Sequence, residues 1–341
     1  MKRFLIVKPS SLGDVIHAFP AVTLLSRQEP GAAIDWLVVP GFAPIVRYHP
    51  AVREILPFRR KEMGQISKFP KAFAELFSTI RRTRYDAVID LQGLLRSALI
   101  SRLARSRNVA GPAISREWGS RIFYRQKLDA GASARHAVRK NLAMMAEFLG
   151  IEEPEEAVFE MPVNAAAGQK VATLLRNFGK EKLIALAPGA RWKSKQWPPS
   201  FFAKVLNSFY QSHPEYSFLL LGSPNEKFLG EAVRKELHAP CVDLIGLTGM
   251  PELVEAIRRS SLLLCNDSGP MHIAAALGTP VVSLFGPTDP VLTGPFTRKA
   301  EVLTPALPCL RCFRRECADG LCHRSIPPEM VKKSMEKQLG L

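Results

Sequence analysis

SLLLCNDSGPMHIAAALGTPVVSLFGPTDP, residues 261–290, decides the fold class. Its apolar run 262–264 suits a strand buried on both faces, as does 281–285, and the segment between them, 270–277, has helix-forming composition. Gly278, Thr279 and Pro280 stop that helix. The order strand, loop, helix, strand is a parallel α/β unit. It places Asn266, Asp267, Ser268 and Gly269 where a strand ends and a helix begins, with Pro270 suited to the first helical turn and Ser268 to the N-cap. A helix N-terminus carries roughly half a positive charge and unpaired N–H groups, so this spot suits a phosphate or diphosphate. An ordinary capped core helix carries the same signature, so the decision falls to the remainder of the chain.

Working outward, the 341 residues suffice for two domains, and a 47% hydrophobic content describes a globular chain. No apolar run reaches the length of a membrane span. MKRFLIVKPS has only four apolar residues, 4–7, before Lys8, which reads as a first strand rather than a signal peptide, and a cytoplasmic location is expected. The net charge of +16 is uneven: residues 1–150 hold 25 Lys and Arg against 11 Asp and Glu, and residues 151–341 hold 22 against 20. A basic first half implies an anionic partner there, with solvated surface charge as the competing reading.

The alternation of strand and helix runs through both halves. Strand 4–7 leads to Pro9-Ser10-Ser11-Leu12-Gly13-Asp14 and a helix to about residue 27, which puts Asp14 at the carboxyl end of a parallel strand, where open α/β sheets carry their functional loops. Helix capping is the alternative role for that aspartate. Arg59, Arg60 and Lys61 follow a third strand at 54–58, and Asp90 and Gln92 flank the end of a fourth at 87–91. Residues 108–134 interleave Arg116, Trp118, Arg121, Tyr124 and Arg125, and Arg135, His136, Arg139 and Lys140 open a helix. The acidic, proline-containing 150–154 reads as a junction. The second half restarts with a strand at 183–187, the loop Pro188-Gly189-Ala190-Arg191-Trp192-Lys193-Ser194-Lys195-Gln196-Trp197-Pro198, a strand at 218–221 and the turn Gly222-Ser223-Pro224-Asn225-Glu226. Two α/β domains with functional loops after their strands put the expected site in a cleft between them.

SSLGDVIHAFPA at 10–21, PGARWKSKQWP at 188–198 and NDSGPMHIAAALGTPVVSLFGPTDP at 266–290 together resemble the ADP-heptose:lipopolysaccharide heptosyltransferases, the family-9 glycosyltransferases. The N-terminal stretch, including DWLVVPGFAPIV at 35–46, is most similar to the heptosyltransferase I branch, which adds the first heptose to Kdo of the lipid A inner core. Gly189-Ala190 departs towards the heptosyltransferase II and III branches, and another transferase of the family acting on a different acceptor is the alternative. The resemblance implies a GT-B fold: a Rossmann-like acceptor domain at 1–154, a Rossmann-like ADP-sugar domain at 155–327, and a helix at 328–341 returning to the first. It implies an inverting transfer from ADP-heptose to an anionic Kdo-lipid A acceptor, needing no metal or other cofactor. The location implied is peripheral, on the cytoplasmic face of the bacterial inner membrane, as a monomer without nucleic acid.

Carried over by motif position, Asp14 matches the family's base and Lys195 the cation that neutralises the departing diphosphate. Gly189, Ala190, Arg191, Lys195, Glu226, Asp267, Ser268, Gly269 and His272 form the donor set, with Asn225 an alternative to Glu226 as ribose partner. Charge and placement make Lys8, Ser11, Arg59, Arg60, Lys61, Arg121, Arg135, His136 and Arg139 the acceptor set. Cys309, Cys312, Cys317 and Cys322, beside His323, have the donor chemistry of a tetrahedral structural zinc or iron site. Their spacing matches no common zinc module, and reduced or partly oxidised thiols are the alternative. A nucleic-acid binder would leave the phosphate-suited helix terminus in the neutral half unexplained, and a nicotinamide-dependent dehydrogenase lacks G-x-G-x-x-G after the first strand.

Overall fold

The computed structural model describes residues 1–115, 117–131, 135–176, 178, 182–317 and 320–341, without the side chain of Trp118. Arg116 of the cation–aromatic segment lies outside the described residues. The chain divides into two units, Met1–Pro162 and Val163–Leu341. The boundary falls beyond the expected junction at 154 because the segment after it is fastened to the first unit. Arg139 donates to the carbonyls of Pro154, at 2.7 Å, and of Glu155, and Arg27 pairs with Glu160 at 3.0 Å.

The first unit is built on β1 (Arg3–Val7), β2 (Ala33–Val38), β3 (Val52–Pro57), β4 (Ala87–Asp90), β5 (Val109–Pro112) and β6 (Gln126–Leu128). They pair in parallel in the order β3-β2-β1-β4-β5-β6. The second is built on β7 (Lys182–Ala187), β8 (Tyr216–Leu220), β9 (Cys241–Asp243), β10 (Leu262–Asn266), β11 (Val281–Leu284) and β12 (Ala300–Leu303), in the order β12-β11-β10-β7-β8-β9. Both orders are the doubly wound pattern, in which the chain reverses direction beside its first strand. The reversal points lie between β1 and β4 and between β7 and β10. At each, helices leave neighbouring strands towards opposite faces, so the strand ends stay open to a ligand. Asp14 follows β1, the 188–198 loop follows β7, and Asp267 follows β10.

The strands read as apolar runs because each sheet is covered on both faces. Leu5, Ile6, Val7, Val88 and Ile89 are fully buried in the first sheet, and Ile184, Leu186, Leu262 and Leu264 in the second. The closing helix Pro328–Leu339 packs on the second unit's own sheet, where Val331 and Met335 join Phe202, Leu206 and Leu264 in one apolar cluster. The segment expected to leave for the first domain is therefore part of the second unit. The i, i+4 spacing of Val331 and Met335 announces a buried stripe but not which sheet covers it. Hydrogen bonds reinforce the placement, from Lys337 to Glu301 at 2.5 Å and from Lys332 to Ser212 at 2.7 Å.

Trp197 is fully buried in the same cluster, edge-on to Phe202 at 4.8 Å between ring centroids, and its indole N–H donates to the Ile326 carbonyl at 3.1 Å. Trp197→Ala will destabilise the second unit by about 3–5 kcal/mol in urea unfolding, and Trp197→Phe, which removes the donor but keeps an aromatic ring, by about 1–3 kcal/mol. Equal costs for the two would show that the ring's packing contributes little.

His49 is buried beneath the first sheet's helices, with Nε2 at 3.0 Å from Thr23 and 3.2 Å from the Phe19 carbonyl, and burial pushes its pKa down to about 4. A histidine depressed in the folded state is protonated first in the unfolded one, so between pH about 6.5 and 4 the unfolded chain binds more protons and stability falls as pH falls. The contribution is on the order of 3 kcal/mol at full displacement. A His49→Gln variant should show a shallower loss of stability across that window; an unchanged slope would remove His49 as a cause.

Candidate active site

Asn266 ends β10 fully buried, and its side-chain amide serves both ends of the loop that follows β7. Oδ1 accepts from the Trp197 N–H at 3.1 Å, and Nδ2 donates to the Pro188 carbonyl at 2.8 Å. Gln196 closes the loop internally by donating to the Ala190 carbonyl at 2.9 Å. A second brace comes from the cysteine-rich segment, whose Arg314 carbonyl accepts from the Ser194 hydroxyl at 2.7 Å and whose Arg315 carbonyl accepts from its N–H at 3.3 Å. The turn Lys193–Lys195 is thereby fixed, and Lys195 reaches Asp267 with Nζ to Oδ2 at 2.6 Å while lying 4.5 Å over the Trp192 ring. Thr288 also donates to Asp267 Oδ2, at 2.5 Å.

Asp267 is only 7% exposed, so its charge is held by a cation and a hydroxyl rather than by bulk water. One residue on, Ser268 is the extended N-cap of helix Gly269–Leu277. Its hydroxyl is buried without a hydrogen-bond partner among the described residues. With the Gly269 N–H, since Pro270 has none and the Met271 N–H donates to the Ser268 carbonyl at 3.2 Å, this hydroxyl makes a donor pair suited to a phosphate oxygen. His272 is buried one turn further along the helix.

Beside the loop, the turn Pro224–Glu226 brings a carboxylate over the backbone of Gly189. Glu226 Oε2 accepts from the Ser223 N–H at 2.6 Å and hydroxyl at 2.7 Å, while Oε1 occupies the space a side chain at residue 189 would need. A Cβ there would lie 1.8 Å from it. A side chain at residue 189 would therefore displace the Glu226 carboxylate from this position, independently of any ligand. Among the expected donor residues, the structure gathers Gly189, Lys195, Glu226, Asp267, Ser268 and Gly269 at the carboxyl ends of β7, β8 and β10. It buries the Ala190 methyl and leaves Arg191 exposed.

In the first unit, Asp14 lies in the first turn of helix Leu12–His17 and takes up the capping role: Oδ2 accepts from the Ser11 N–H at 2.7 Å and hydroxyl at 2.8 Å. Both bonds fall on Oδ2. Lys8 does not fit the acceptor set. It is buried, donates to the Leu91 carbonyl at 2.5 Å, and has its pKa lowered by burial against the opposing charges of Asp14 and Asp90. Asp90, whose carboxyl burial pushes up, accepts from Tyr124 at 2.8 Å and from the N–H groups of Gln92 and Gly93. Lys8 is therefore buried within the field of Asp14 and Asp90 rather than on the surface.

Other acceptor candidates are also engaged. Arg135 pairs with Glu153 at 2.6 Å and Arg139 holds the segment after it, so both fasten the end of the first unit. His136 caps its own helix by accepting from the Val138 N–H at 3.2 Å. Arg59 lies between Glu62 at 3.4 Å and Glu75 at 3.6 Å. Arg60 is exposed and reaches the Ser10 hydroxyl at 3.4 Å, and Ser11, Lys61 and Arg121 are exposed.

The four loop cysteines are free thiols, with Cys309, Cys312 and Cys317 exposed. Among the described residues no group of three or more His, Cys, Asp or Glu side chains is arranged to hold a metal ion, so the structural-metal alternative finds no support in their arrangement. Cys322 turns instead towards the Ser194 carbonyl at 3.8 Å and His323 at 3.6 Å, and burial raises its thiol pKa. His323, pushed down to about 4 by burial, sits within the field of both Asp267 and Lys195. Thr288 and His323 are the site residues that motif reading did not assign; the only advance signal for Thr288 was its place after β11, at the same sheet edge as Asp267.

No described helix is long and apolar enough to cross a membrane. Residues 73–323 match the family model described as glycosyltransferase family 9 (heptosyltransferase). The chain is 29% identical to lipopolysaccharide heptosyltransferase 1 of Pseudomonas aeruginosa, over 99% of this chain and 98% of that one. It is 31% identical to lipopolysaccharide heptosyltransferase 1 of Escherichia coli K12, over 88% and 92%. The solved E. coli heptosyltransferase WaaC with ADP superposes with a TM-score of 0.81 at 26% identity, covering 98% of this chain and 99% of that one. With its two doubly wound sheets of the GT-B kind, the chain belongs to glycosyltransferase family 9, the heptosyltransferases, and is a glycosyltransferase.

Proposed function

We propose that the protein is a heptosyltransferase I, moving heptose from ADP-L-glycero-D-manno-heptose to Kdo of the lipopolysaccharide inner core with inversion at the anomeric carbon. One observation carries the reading. The Lys195 ammonium, the Asp267 carboxylate and an open helix N-terminus meet at the reversal point of the second sheet, in a chain that resembles heptosyltransferase 1 relatives over nearly its whole length. The arrangement suits a nucleotide diphosphate that must leave with added negative charge.

In this reaction Asp14 takes the proton from a Kdo hydroxyl as its oxygen attacks the anomeric carbon. The bond from that carbon to the β-phosphate oxygen breaks, and ADP departs. Lys195 exchanges Asp267 for phosphate oxygens as charge grows on them, Ser268 and the Gly269 amide share that charge, and Asp267 turns to the sugar hydroxyls. Glu226 receives the ribose. Arg60, Lys61 and Arg121 meet the acceptor's carboxylates and phosphates. Residues Lys8 and Thr288 act one step back, Lys8 by setting the field at Asp14 and Thr288 by orienting Asp267. No metal takes part, and the enzyme works at the cytoplasmic face of the inner membrane as a peripheral protein.

Asp14→Asn keeps an oxygen for the Ser11 N–H, so the helix start survives while the base is lost. Its kcat should fall by about 10²–10⁴-fold with ADP affinity unchanged, measured by steady-state kinetics and calorimetry. Retained turnover would exclude Asp14 as the base. Lys195→Ala should lower kcat/KM for the donor by about 10²–10³-fold. Unchanged donor kinetics would leave the diphosphate without its proposed cation.

A further inference from the structure

Helix Phe69–Arg82 has two apolar rows where a core needs one. Ala72, Leu76 and Ile80 are buried against the first sheet. Alongside them Phe69, Phe73 and Phe77, spaced i, i+4, i+8, form a stacked ladder with centroids 5.6 and 6.1 Å apart and planes within 20° and 22°. Phe69 is 43% exposed and Phe77 38%. The row continues onto the next helix, Leu95–Leu103, because Arg81 lies 5.0 Å over the Phe77 ring and donates to the Leu103 carbonyl at 3.2 Å. There Leu95 and Leu99 are each 47% exposed, and in the adjoining turn Trp118–Phe123, Ile122 is 69% exposed. Two neighbouring helices and the turn packed on the second of them thus carry large exposed apolar groups in one unit.

The same elements are basic. Residues 68–82 carry Lys68, Lys71, Arg81 and Arg82 against Glu75 alone, and residues 95–103 carry two arginines and no acid. We propose that this face docks on an anionic lipid surface, with the ladder and the leucines entering the headgroup region and the cations meeting lipid phosphates. Charge complementarity selects this occupant over a second copy of the chain, which would bring like charges together. The ladder also selects it over single-stranded nucleic acid. Phe73 stacks between Phe69 and Phe77, and Arg81 lies over the Phe77 ring, whereas bases need free faces to stack on, and Leu95, Leu99 and Ile122 offer none. The assignment rests on the transfer reading only for which membrane is met; the surface itself is argued without it.

Flotation with vesicles tests it. The intact protein should float with vesicles containing phosphatidylglycerol and not with phosphatidylcholine alone. Phe69→Ser/Phe73→Ser/Phe77→Ser should bind at least about tenfold more weakly, and Lys68→Glu/Lys71→Glu, which touches only exposed side chains, should lose the anionic preference by a similar factor. Should the triple variant fail to fold by circular dichroism, Phe69→Trp replaces it, with its added fluorescence quenched by brominated acyl chains. Turnover of both charge and ladder variants on a deacylated, water-soluble acceptor should match the parent, which separates docking from catalysis. Undiminished flotation of the variants, added fluorescence in the Phe69→Trp variant that brominated chains leave unquenched, or a dimer in sedimentation equilibrium that the ladder variant dissociates would overturn the proposal.

Discussion

The buried side-chain amide of Asn266 is the interaction on which the donor side depends. It bonds the first and penultimate residues of the 188–198 loop, at Pro188 and Trp197, and so ties the end of β7 to the end of β10. An amide is suited to this because it offers an acceptor and a donor on one rigid plane, and in a fully buried position either bond left unmade costs about 1–3 kcal/mol. With the loop pinned, Trp197 enters the core on one side and Lys195 is presented on the other. The Lys195–Asp267 contact follows from that geometry rather than from the attraction of two mobile surface charges.

Each unit brings its candidate site residues to the point where its strand order reverses, and in each a buried polar group interacts with them. In the second unit it is Thr288, with neutral His323, around Asp267. In the first it is Lys8, held by the Leu91 carbonyl within the field of Asp14 and Asp90. Burial lowers the Lys8 pKa and the charges of Asp14 and Asp90 oppose that shift, so the three groups are electrostatically coupled at this strand end.

The architecture was largely legible in the chain. Apolar runs such as 262–264 and 183–187 became buried parallel strands, and the turn chemistry at Gly278 and Ser268 marked both ends of the helix between β10 and β11. What periodicity could not convey was partnership across distance. Arg135 and Arg139 read as free cations, yet the acidic segment at 153–155 occupies them. Lys8 read as surface because lysine almost always is, and the carbonyl that holds it comes from residue 91. The closing helix showed its stripe but not its sheet, and the spacing of the four cysteines could not say whether the sulfurs converge. The residues expected on the donor side lie together in the second unit because their placement follows from strand ends, which are local.

The central claim is inverting transfer of one heptose from an ADP-linked donor to Kdo. It is tested most directly by incubating the purified protein with ADP-heptose and Kdo2-lipid A and determining the mass and anomeric configuration of the product. The account predicts ADP release that requires both substrates and a product heavier by one heptose, with its configuration opposite to the donor's. Transfer only to an acceptor that already carries a heptose, or a product that retains the donor's configuration, would contradict it.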